Sequence, residues 1–486
     1  MKKIWKSLFS FGLLFSISGV SIAEESSHSA LKVEDCHVDG IRSKVRCGTL
    51  TVPENYQQPN ESQLDVHFVI IPALDNSKQL TPLMFLAGGP GQAAAQMAGN
   101  IRQMFSEVLK TRDIIVVDQR GTGQSNGLQC SNMEDFKLYE DLHGDMSEQD
   151  MLDCRANFTV DLAHYSTPNA IRDFDNIRAA LGWNKLSLYG GSYGTRAALV
   201  YMNMFPESLE AVVLDSVGPV EVPIGLFGQS VARSYNLLLE NCQLDANCKQ
   251  AFPNLDEEFQ ALFARVEAEP VRVDMMHPTL GTPTQFVIDR AKLISTLRLQ
   301  LYSIQGRQFV PLVIHQAYLG NYLPLAGLLA QTSGDNPGEI HAGLLFNILC
   351  NEDYPRVKQN QWSEDAKNSF GRDEAQKNWH LACTNWPKFD YEAQYFEPVT
   401  ANIPTLILSG KLDPVTPPSN GDFSDKSLPN SRHIVVKNAS HIVVTSECAI
   451  DLVDQFLTDK DPQAIDETCL TEIADETFIT NLNGNS

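Results

Sequence analysis

Short apolar runs alternate with amphipathic stretches through the first half of the chain. Residues 47–52 and 64–71 have a β-rich composition and are separated by a turn, which predicts an antiparallel pair. Four later runs are short and apolar enough to be buried parallel strands, at residues 82–87, 113–117, 185–189 and 211–215. The pattern therefore predicts an α/β protein with a mostly parallel sheet.

Two helices flank the third of these parallel strands. The first begins at Thr167-Pro168, a hydroxyl cap followed by a proline, and is closed by Gly182. Its apolar residues recur at helical spacing: Ile171, Phe174, Ile177 and Leu181. The second helix is predicted over residues 195–205, where Pro206 stops it. The strand at 185–189 is therefore enclosed in a β–turn–α unit.

After Gly218-Pro219 the alternation of strand and helix breaks down. Residues 220–400 have mostly helical patterns, and strand patterns return at 405–409 and 433–436. We therefore predict a core in two parts, 24–219 and 401–486, with a helical cap insertion at 220–400. Aromatic residues of the cap either line a pocket or belong to its core: Trp362, Trp379, Trp386 and Tyr391.

The N-terminal segment has the layout of a secretory signal. Lys2, Lys3 and Lys6 precede an apolar run, and small residues end the segment at Ala23. The apolar run is short for a membrane span, so a signal peptide over residues 1–23 is favoured over a retained anchor. We expect a periplasmic or secreted protein with no stable membrane insertion after the signal is removed.

Cysteine content fits export. The ten cysteines form five sequence-local pairs, and in an exported chain such pairs indicate disulfides. The proposed pairs are Cys36 with Cys47, Cys130 with Cys154, Cys242 with Cys248, Cys350 with Cys383, and Cys448 with Cys469. No Cys-x-x-Cys pair or His-Glu-x-x-His motif occurs, so the sequence suggests neither a metal nor a cofactor.

Net charge limits the classes of partner. The formal charge is -23, and removing the three signal lysines makes it -26. A surface this acidic repels phosphate backbones and anionic lipids, which argues against a nucleic-acid partner.

The candidate nucleophile is Ser192. It lies in Tyr189-Gly190-Gly191-Ser192-Tyr193-Gly194, which contains Gly-x-Ser-x-Gly between a predicted strand and a predicted helix. In that context the motif exposes a serine at a sharp, strained turn, where the flanking glycines allow strand and helix to approach closely. The alternative is a structural serine in an ordinary glycine turn.

A serine hydroxyl needs a base, and that base needs an orienting acid. Asp413 follows the strand at 405–409, and Pro414 keeps it in an extended turn. His441 follows the last strand, from which an imidazole can reach the sheet edge. Asp422 and Asp425 are less well placed acids. The order Ser192, Asp413, His441 is the chain order of α/β-hydrolases.

Two glycine-rich loops are expected near this site. A tetrahedral intermediate needs backbone N–H donors, which we assign to Tyr193 and to Gly89 in Gly88-Gly89-Pro90-Gly91. The alternative for Gly89 is a simple tight turn. The loop that starts at Asp118 is expected to hold its neighbours together through hydrogen bonds of Arg120.

These motifs together resemble the prolyl aminopeptidase family of serine peptidases. Its exported, tripeptidyl aminopeptidase-like branch is similar in the large insertion, in Asp413-Pro414-Val415-Thr416-Pro417 and in the late His441. Ala87 departs from the family, many members of which carry His before the glycines. The motifs that carry the resemblance also include Gly88-Gly89-Pro90-Gly91, Asp118-Gln119-Arg120-Gly121-Thr122-Gly123-Gln124-Ser125 and Gly190-Gly191-Ser192-Tyr193-Gly194.

The resemblance implies an α/β-hydrolase core with a helical cap, acting near the N-terminus of small peptide substrates. An aminopeptidase must recognise a free ammonium, and Glu352 in Cys350-Asn351-Glu352-Asp353 is the candidate for this contact. The alternative for Glu352 is a solvated acid at a helix end. Two other functions stay open: a carboxylesterase on the same triad, and a binding protein on a catalytically dead scaffold.

Overall fold

The computed structural model of the protein describes residues 31–130, 147–277, 281–331 and 340–484. The predicted signal peptide, residues 1–23, lies outside this range. Within the described residues, every helix is too short or too polar to cross a membrane.

Eleven strands are found in the described residues, and nine of them form one sheet in the order β1-β2-β3-β5-β4-β6-β7-β10-β11. Strands β1 to β3 and β5 pair antiparallel, whereas β5, β4, β6, β7, β10 and β11 pair parallel. The strands are β1 (Leu31–Cys36), β2 (Val45–Pro53), β3 (Gln63–Ile71), β4 (Leu83–Leu86), β5 (Ile114–Val117), β6 (Leu186–Gly191), β7 (Leu209–Asp215), β8 (Val271–Met276), β9 (Pro283–Ile288), β10 (Thr405–Gly410) and β11 (Ser431–Val436).

The sheet confirms the predicted α/β class and most of its predicted strands. The predicted N-terminal pair corresponds to β2 and β3, which are antiparallel. Strand β1 was not predicted, because its residues are mostly exposed at the edge of the sheet and carry no alternating apolar pattern.

Apolar side chains from the central strands pack on both faces of the sheet. Along β5, Ile114 and Val116 belong to one hydrophobic core, while Ile115 and Val117 belong to the other. Successive side chains of a strand point to opposite faces, so a strand covered on both faces must be apolar throughout. This burial explains why the central strands were recognisable as continuous apolar runs.

Helices cover both faces of the sheet and form most of the segment between β7 and β10. They are α1 (Ala98–Met104), α2 (Glu148–Ala156), α3 (Thr167–Ala180), α4 (Tyr193–Met204), α5 (Gly228–Leu244), α6 (Ala246–Ala251), α7 (Leu255–Ala268), α8 (Arg290–Gln300), α9 (Ile304–Tyr318), α10 (Leu323–Gln331), α11 (Ala342–Ile348), α12 (Gln359–Ala366), α13 (Glu374–Asn385), α14 (Pro418–Asp425) and α15 (Glu447–Asp459).

Strands β7 and β10 flank the proposed cap of residues 220–400. They are adjacent in the sheet although the cap separates them in sequence. The cap has its own hydrophobic core, which includes Phe259 and Leu262 of α7. It is mostly helical as predicted, but β8 and β9 form an antiparallel hairpin inside it that the sequence analysis missed.

The five predicted cysteine pairs are all disulfides. Among the described residues there is no free cysteine. The local pairing is therefore confirmed.

Candidate active site

Five segments of the candidate site lie in loops that follow parallel strands. The Gly88 loop follows β4, Ser192 follows β6, Ser216 follows β7, Asp413 follows β10 and His441 follows β11. Parallel neighbours end at the same edge of a sheet, where open α/β folds place their ligands. The fold therefore brings residues distant in sequence to one edge.

Ser192 occupies the sharp turn between β6 and α4. Its φ of 57° and ψ of −123° are unusual for a residue with a side chain. The Ser192 N–H donates to the carbonyl of Asp215 at 3.0 Å, and its carbonyl accepts from the Thr195 N–H at 2.9 Å. These bonds hold the turn in a conformation that directs the serine away from the strand.

The flanking glycines are required by close backbone approach. A Cβ at Gly194 would lie 2.0 Å from the carbonyl oxygen of Leu86, and one at Gly190 would lie 2.3 Å from that of Gly194. Both distances are far below van der Waals contact, so the motif Gly-x-Ser-x-Gly is a steric requirement of this turn.

Asp413, which is fully buried, pairs with the partly buried His441. The imidazole Nδ1 of His441 lies 2.9 Å from Asp413 Oδ2. The Asp413 carboxylate also accepts from the N–H groups of Val415 and Thr416 and, at 2.7 Å, from the Thr416 hydroxyl. With Nδ1 donating to the carboxylate, Nε2 is the nitrogen that is free to accept a proton.

The electrostatics of this pair favour a charged imidazole. Burial lowers the pKa of His441, but the charge and hydrogen bond of Asp413 and the charge of Asp215 outweigh it, so the pKa is raised. Burial raises the pKa of Asp413, but His441 and the backbone donors outweigh that effect and lower it. Asp413 is therefore positioned to stabilise a positively charged His441 imidazole.

The histidine loop lies against the nucleophile strand. Ile442 directly follows His441, and a Cβ added at Gly191 would lie 3.2 Å from the Ile442 Cδ1. Among the described residues, the Ser192 hydroxyl has no hydrogen-bond partner in the structure. Loop and turn are thus neighbours, without a formed bond between Ser192 and His441.

The predicted oxyanion donors are next to Ser192. A Cβ at Gly88 would lie 3.4 Å from the Cβ of Ser192, and the Gly88 N–H already donates to Gln92 Oε1 at 3.0 Å. Gly89 has a φ of 106°, accessible chiefly to glycine. Within the described part of the chain, the N–H groups of Gly89 and Tyr193 have no acceptor, so both are available to a ligand.

Glu352 is buried rather than solvated as the alternative assumed. It lies in a π-helical turn, Leu349–Asp353, and is 1% exposed. Its carboxylate accepts from the N–H and hydroxyl of Thr167 at 2.7 and 2.6 Å, and the Thr167 hydroxyl also contacts the Tyr193 hydroxyl at 2.7 Å. Glu352 is thus linked to the residue after the nucleophile.

The hydroxyl cap predicted for Thr167 is wrong. The cap of α3 is Ser166, whose hydroxyl accepts from the Asn169 N–H, and Thr167 is the first helical residue. The Thr167 hydroxyl is used instead by Glu352, a contact across the fold that local sequence does not reveal.

Glu352 also lines a cavity of about 410 Å³. The pKa of Glu352 is raised to about 7, mainly by burial and with a smaller contribution from the charge of Asp353, while the Thr167 hydrogen bonds and the charge of Arg196 oppose the rise. Asp353 meets Arg196 and Arg356, whereas no described cation pairs with Glu352. The site therefore holds a buried carboxylate that forms no ion pair with any described residue.

The cap aromatics have different positions. Trp362 and Trp386 are buried, and Trp386 donates to Asn347 Oδ1, as expected of core residues. Trp379 and Tyr391 line two separate cavities. Of the four cap aromatics, two therefore belong to the core and two line a pocket.

Sequence reasoning missed Asp215 and Ser216. The Asp215 carboxylate accepts from the N–H groups of Val443 and Val444 at 2.9 and 3.0 Å. The Ser216 hydroxyl accepts from the Ile442 N–H at 2.8 Å. Since the Asp215 carbonyl also binds the Ser192 N–H, this pair joins the nucleophile turn to the histidine loop. The available signal was an acid at the end of an apolar strand, at the sheet edge that carries Ser192.

We expect Asp215→Asn to reduce kcat through His441, by about tenfold or more, because a buried N–H of the loop loses its acceptor. The variant also removes a charge that raises the pKa of His441. The base must be neutral to act, so kcat/KM rises with pH through that pKa, and this acidic limb should move to lower pH in the variant.

The measurement is the pH profile of kcat/KM for both proteins. Tyr189→Phe is the matched control, since it removes the 2.8 Å hydroxyl bond to Asp215 but leaves the carboxylate on the loop. An unchanged acidic limb in Asp215→Asn would show that Asp215 does not influence His441.

Comparison with known proteins gives matches over most of the chain. Residues 81–266 match the family model described as alpha/beta hydrolase fold, and residues 368–469 match the model described as TAP-like protein.

Among curated relatives, the tripeptidyl aminopeptidase of Streptomyces coelicolor is 23% identical over 490 residues, 92% of this chain and 87% of that protein. The serine protease Hip1 of Mycobacterium tuberculosis is 28% identical over 222 residues, 42% of each chain. Among solved structures, a proline iminopeptidase of Mycobacterium smegmatis matches with a TM-score of 0.37 and 16% identity, over 86% of this chain and 99% of that one.

Proposed function

The chain is an α/β-hydrolase of the serine peptidase type, and on that premise we propose an exported aminopeptidase that cleaves near the free N-terminus of short peptides. The observation that carries the proposal is the pair of Asp413 and His441 at the sheet edge where the Ser192 turn lies. The named activity of the tripeptidyl aminopeptidase relative, which matches nearly the whole chain, supports the choice of substrate.

Ser192 is the proposed nucleophile. Its Oγ attacks the carbonyl carbon of the scissile bond while His441 Nε2 takes the hydroxyl proton. The resulting imidazolium is stabilised by Asp413, and it returns the proton to the leaving amine as the C–N bond breaks. Water then attacks the acyl-enzyme with His441 again as base, which releases the N-terminal product and restores Ser192.

The oxyanion of each tetrahedral intermediate would be bound by the N–H groups of Gly89 and Tyr193. Donors already in place and free of protein acceptors need no reorganisation as negative charge develops. The hydrogen bond between Ser192 and His441 is expected to form in the substrate complex, since such bonds are often long or absent without ligand.

Glu352 is the proposed partner of the substrate ammonium. A buried carboxylate without a counter-cation is costly, and a bound ammonium would supply the missing charge. Asp390 lines the same cavity, whereas Glu392 in its wall is paired with Arg172. A free amine would then be favoured over a blocked one.

Export is proposed on the predicted signal peptide at residues 1–23 and on the disulfides. Five disulfides among the described residues are expected of a protein in an oxidising compartment. The proposed location is the periplasm or the medium, and N-terminal sequencing of the mature protein would test cleavage after Ala23.

The decisive assay compares aminoacyl and tripeptidyl anilides that have free or acetylated amines. We expect acetylation to abolish turnover, and Glu352→Gln to lower kcat/KM for free-amine substrates by about tenfold or more, because a charge-assisted hydrogen bond is lost. The preference for a free amine should grow as pH rises through about 7, where Glu352 ionises.

The control variant is Glu364→Gln, which removes one exposed cap carboxylate outside this cavity. Equal turnover of free and acetylated peptides would contradict the aminopeptidase proposal. Turnover of short acyl esters without any of anilides would instead identify a carboxylesterase. Failure of a fluorophosphonate to label Ser192 would indicate a binding protein.

A further inference from the structure

The cap contains a second cavity, of about 450 Å³, at the junction of α5, α8 and α13. Its wall is largely apolar and includes Phe227, Val231, Ile294, Leu299, Leu329 and Trp379. A cavity of this size with mostly apolar walls and a few polar groups is typical of a small-ligand site. We call this space cavity B.

The helices that line cavity B also hold the catalytic loops. From α5, Arg233 donates to the carbonyl of Asp413 at 3.1 Å, and Ser234 donates to that of Leu412 at 2.6 Å. Just after α8, the carbonyl of Tyr302 accepts from the His441 N–H at 3.1 Å, and the rings of Tyr302 and His441 are 5.1 Å apart. Cavity B is therefore built on the elements that position Asp413 and His441.

The third wall of cavity B leads toward Glu352. Trp379 of α13 lies against Gly225, whose added Cβ would be 3.0 Å from the indole nitrogen. The adjacent Ile224 N–H donates to Asp353 at 2.9 Å, next to Glu352. The elements that line cavity B thus also contact the loops of Asp413 and His441 and, through Gly225 and Ile224, the segment next to Glu352.

Arg298 is the unusual residue of cavity B. It is half-buried, and among the described residues its guanidinium has no ion pair or hydrogen bond. The other charged groups of the wall do have partners: Lys292 pairs with Asp289, Arg372 with Glu267, and Glu374 with Arg290. A guanidinium without a protein partner in a mostly apolar wall favours the binding of an anionic ligand. Such a cation is notable because the chain as a whole is acidic, with a net charge of -23.

We propose that cavity B binds the leaving half of a short peptide, with apolar side chains against its walls and the terminal carboxylate on Arg298. Arg298 lies four residues before Tyr302, so its helix places the cation near the residue that contacts His441. A planar guanidinium binds a carboxylate through two parallel hydrogen bonds. This inference rests on the proposed aminopeptidase function and deepens it.

The consequence is a substrate held at both ends. Glu352 would take the ammonium and Arg298 the carboxylate, so that peptides of one limited length would satisfy both charges. Longer chains, or peptides whose C-terminus is amidated, would leave Arg298 without its partner. The substrate class is thus a short, zwitterionic peptide with apolar residues after the cleaved bond.

The test measures kcat/KM for one short peptide that has a free amine, apolar residues after the cleaved bond and either a carboxylate or an amide at its C-terminus. We expect kcat/KM of the wild type to be about tenfold or more higher for the carboxylate form, because hydrogen bonds between charged groups contribute that much to binding. Arg298→Gln should cleave both forms at similar kcat/KM. The loss should arise mainly as a higher KM for the carboxylate form.

The matched control is Arg272→Gln, which removes one positive charge from β8 in the same cap but outside cavity B. It should keep the preference for the carboxylate form. Equal cleavage of both forms by the wild type, or an unchanged preference in Arg298→Gln, would overturn the inference.

A tripeptidyl anilide with a free amine separates the two proposals, because its leaving group has no carboxylate. Hydrolysis of the anilide together with equal cleavage of the two peptide forms overturns only the role of Arg298. No hydrolysis of any free-amine substrate overturns the aminopeptidase function and this inference with it.

Discussion

Replacing Ser192 by alanine is expected to lower kcat by about 10⁶-fold, because the members of a catalytic triad act as a unit and the covalent step disappears. Substrate binding should change little, since the oxyanion donors and Glu352 are untouched. The measurement is steady-state hydrolysis of a free-amine anilide, with active-site labelling by a fluorophosphonate as a second readout.

Ser187→Ala is the matched control for this variant. Ser187 is a buried serine near the start of β6, the strand that precedes Ser192. It should retain both labelling and activity. More than one tenth of wild-type activity in Ser192→Ala would rule out Ser192 as the nucleophile.

Replacing Arg120 by methionine is expected to destabilise the fold by about 3–5 kcal/mol, because it leaves a buried charge without its partner. The Arg120 guanidinium makes a bidentate pair with Asp173 at 2.7 and 2.6 Å, and both side chains are fully buried. It also donates to the carbonyls of Pro53, Glu54 and His164, which confirms its predicted role of holding loops together.

The free energy of unfolding should be measured by denaturant titration with the disulfides intact. Arg46→Met is the control, since Arg46 pairs with Asp113 at 3.0 Å while its side chain is 43% exposed. Exposed pairs contribute about 0–1 kcal/mol, so this variant should unfold close to wild type. Equal losses in the two variants would contradict the argument from burial.

Much of the fold was predictable because burial leaves a periodic trace in sequence. The central strands have apolar residues on both faces, and the glycines around Ser192 are required because an added Cβ would lie as close as 2.0 Å to a backbone atom. The chain order of Ser192, Asp413 and His441 followed from the same strand pattern. The catalytic roles of these three residues stay predictions until activity is measured.

The sequence pattern did not predict strands that are mostly exposed or that lie among helical segments. Strand β1 is mostly exposed, and the hairpin of β8 and β9 is short and lies among helical segments. The environment of Glu352 was also inaccessible, since its burial depends on Thr167, which is 185 positions away in sequence. Local patterns carry no information about such contacts.

The order of residues along the chain was sufficient to predict the α/β class, the disulfide pairs, the turn that carries Ser192 and the candidates for acid and base. Each depends on periodic burial, on a short motif or, for the disulfides, on partners at most 33 positions apart, and these leave a signature along the sequence. Tertiary structure alone decided that Asp215 joins the nucleophile turn to the histidine loop, that Glu352 is buried without a counter-cation and that Arg298 faces an apolar cavity. The burial and the contacts of these residues are determined by segments that are distant in sequence and close only in the folded protein.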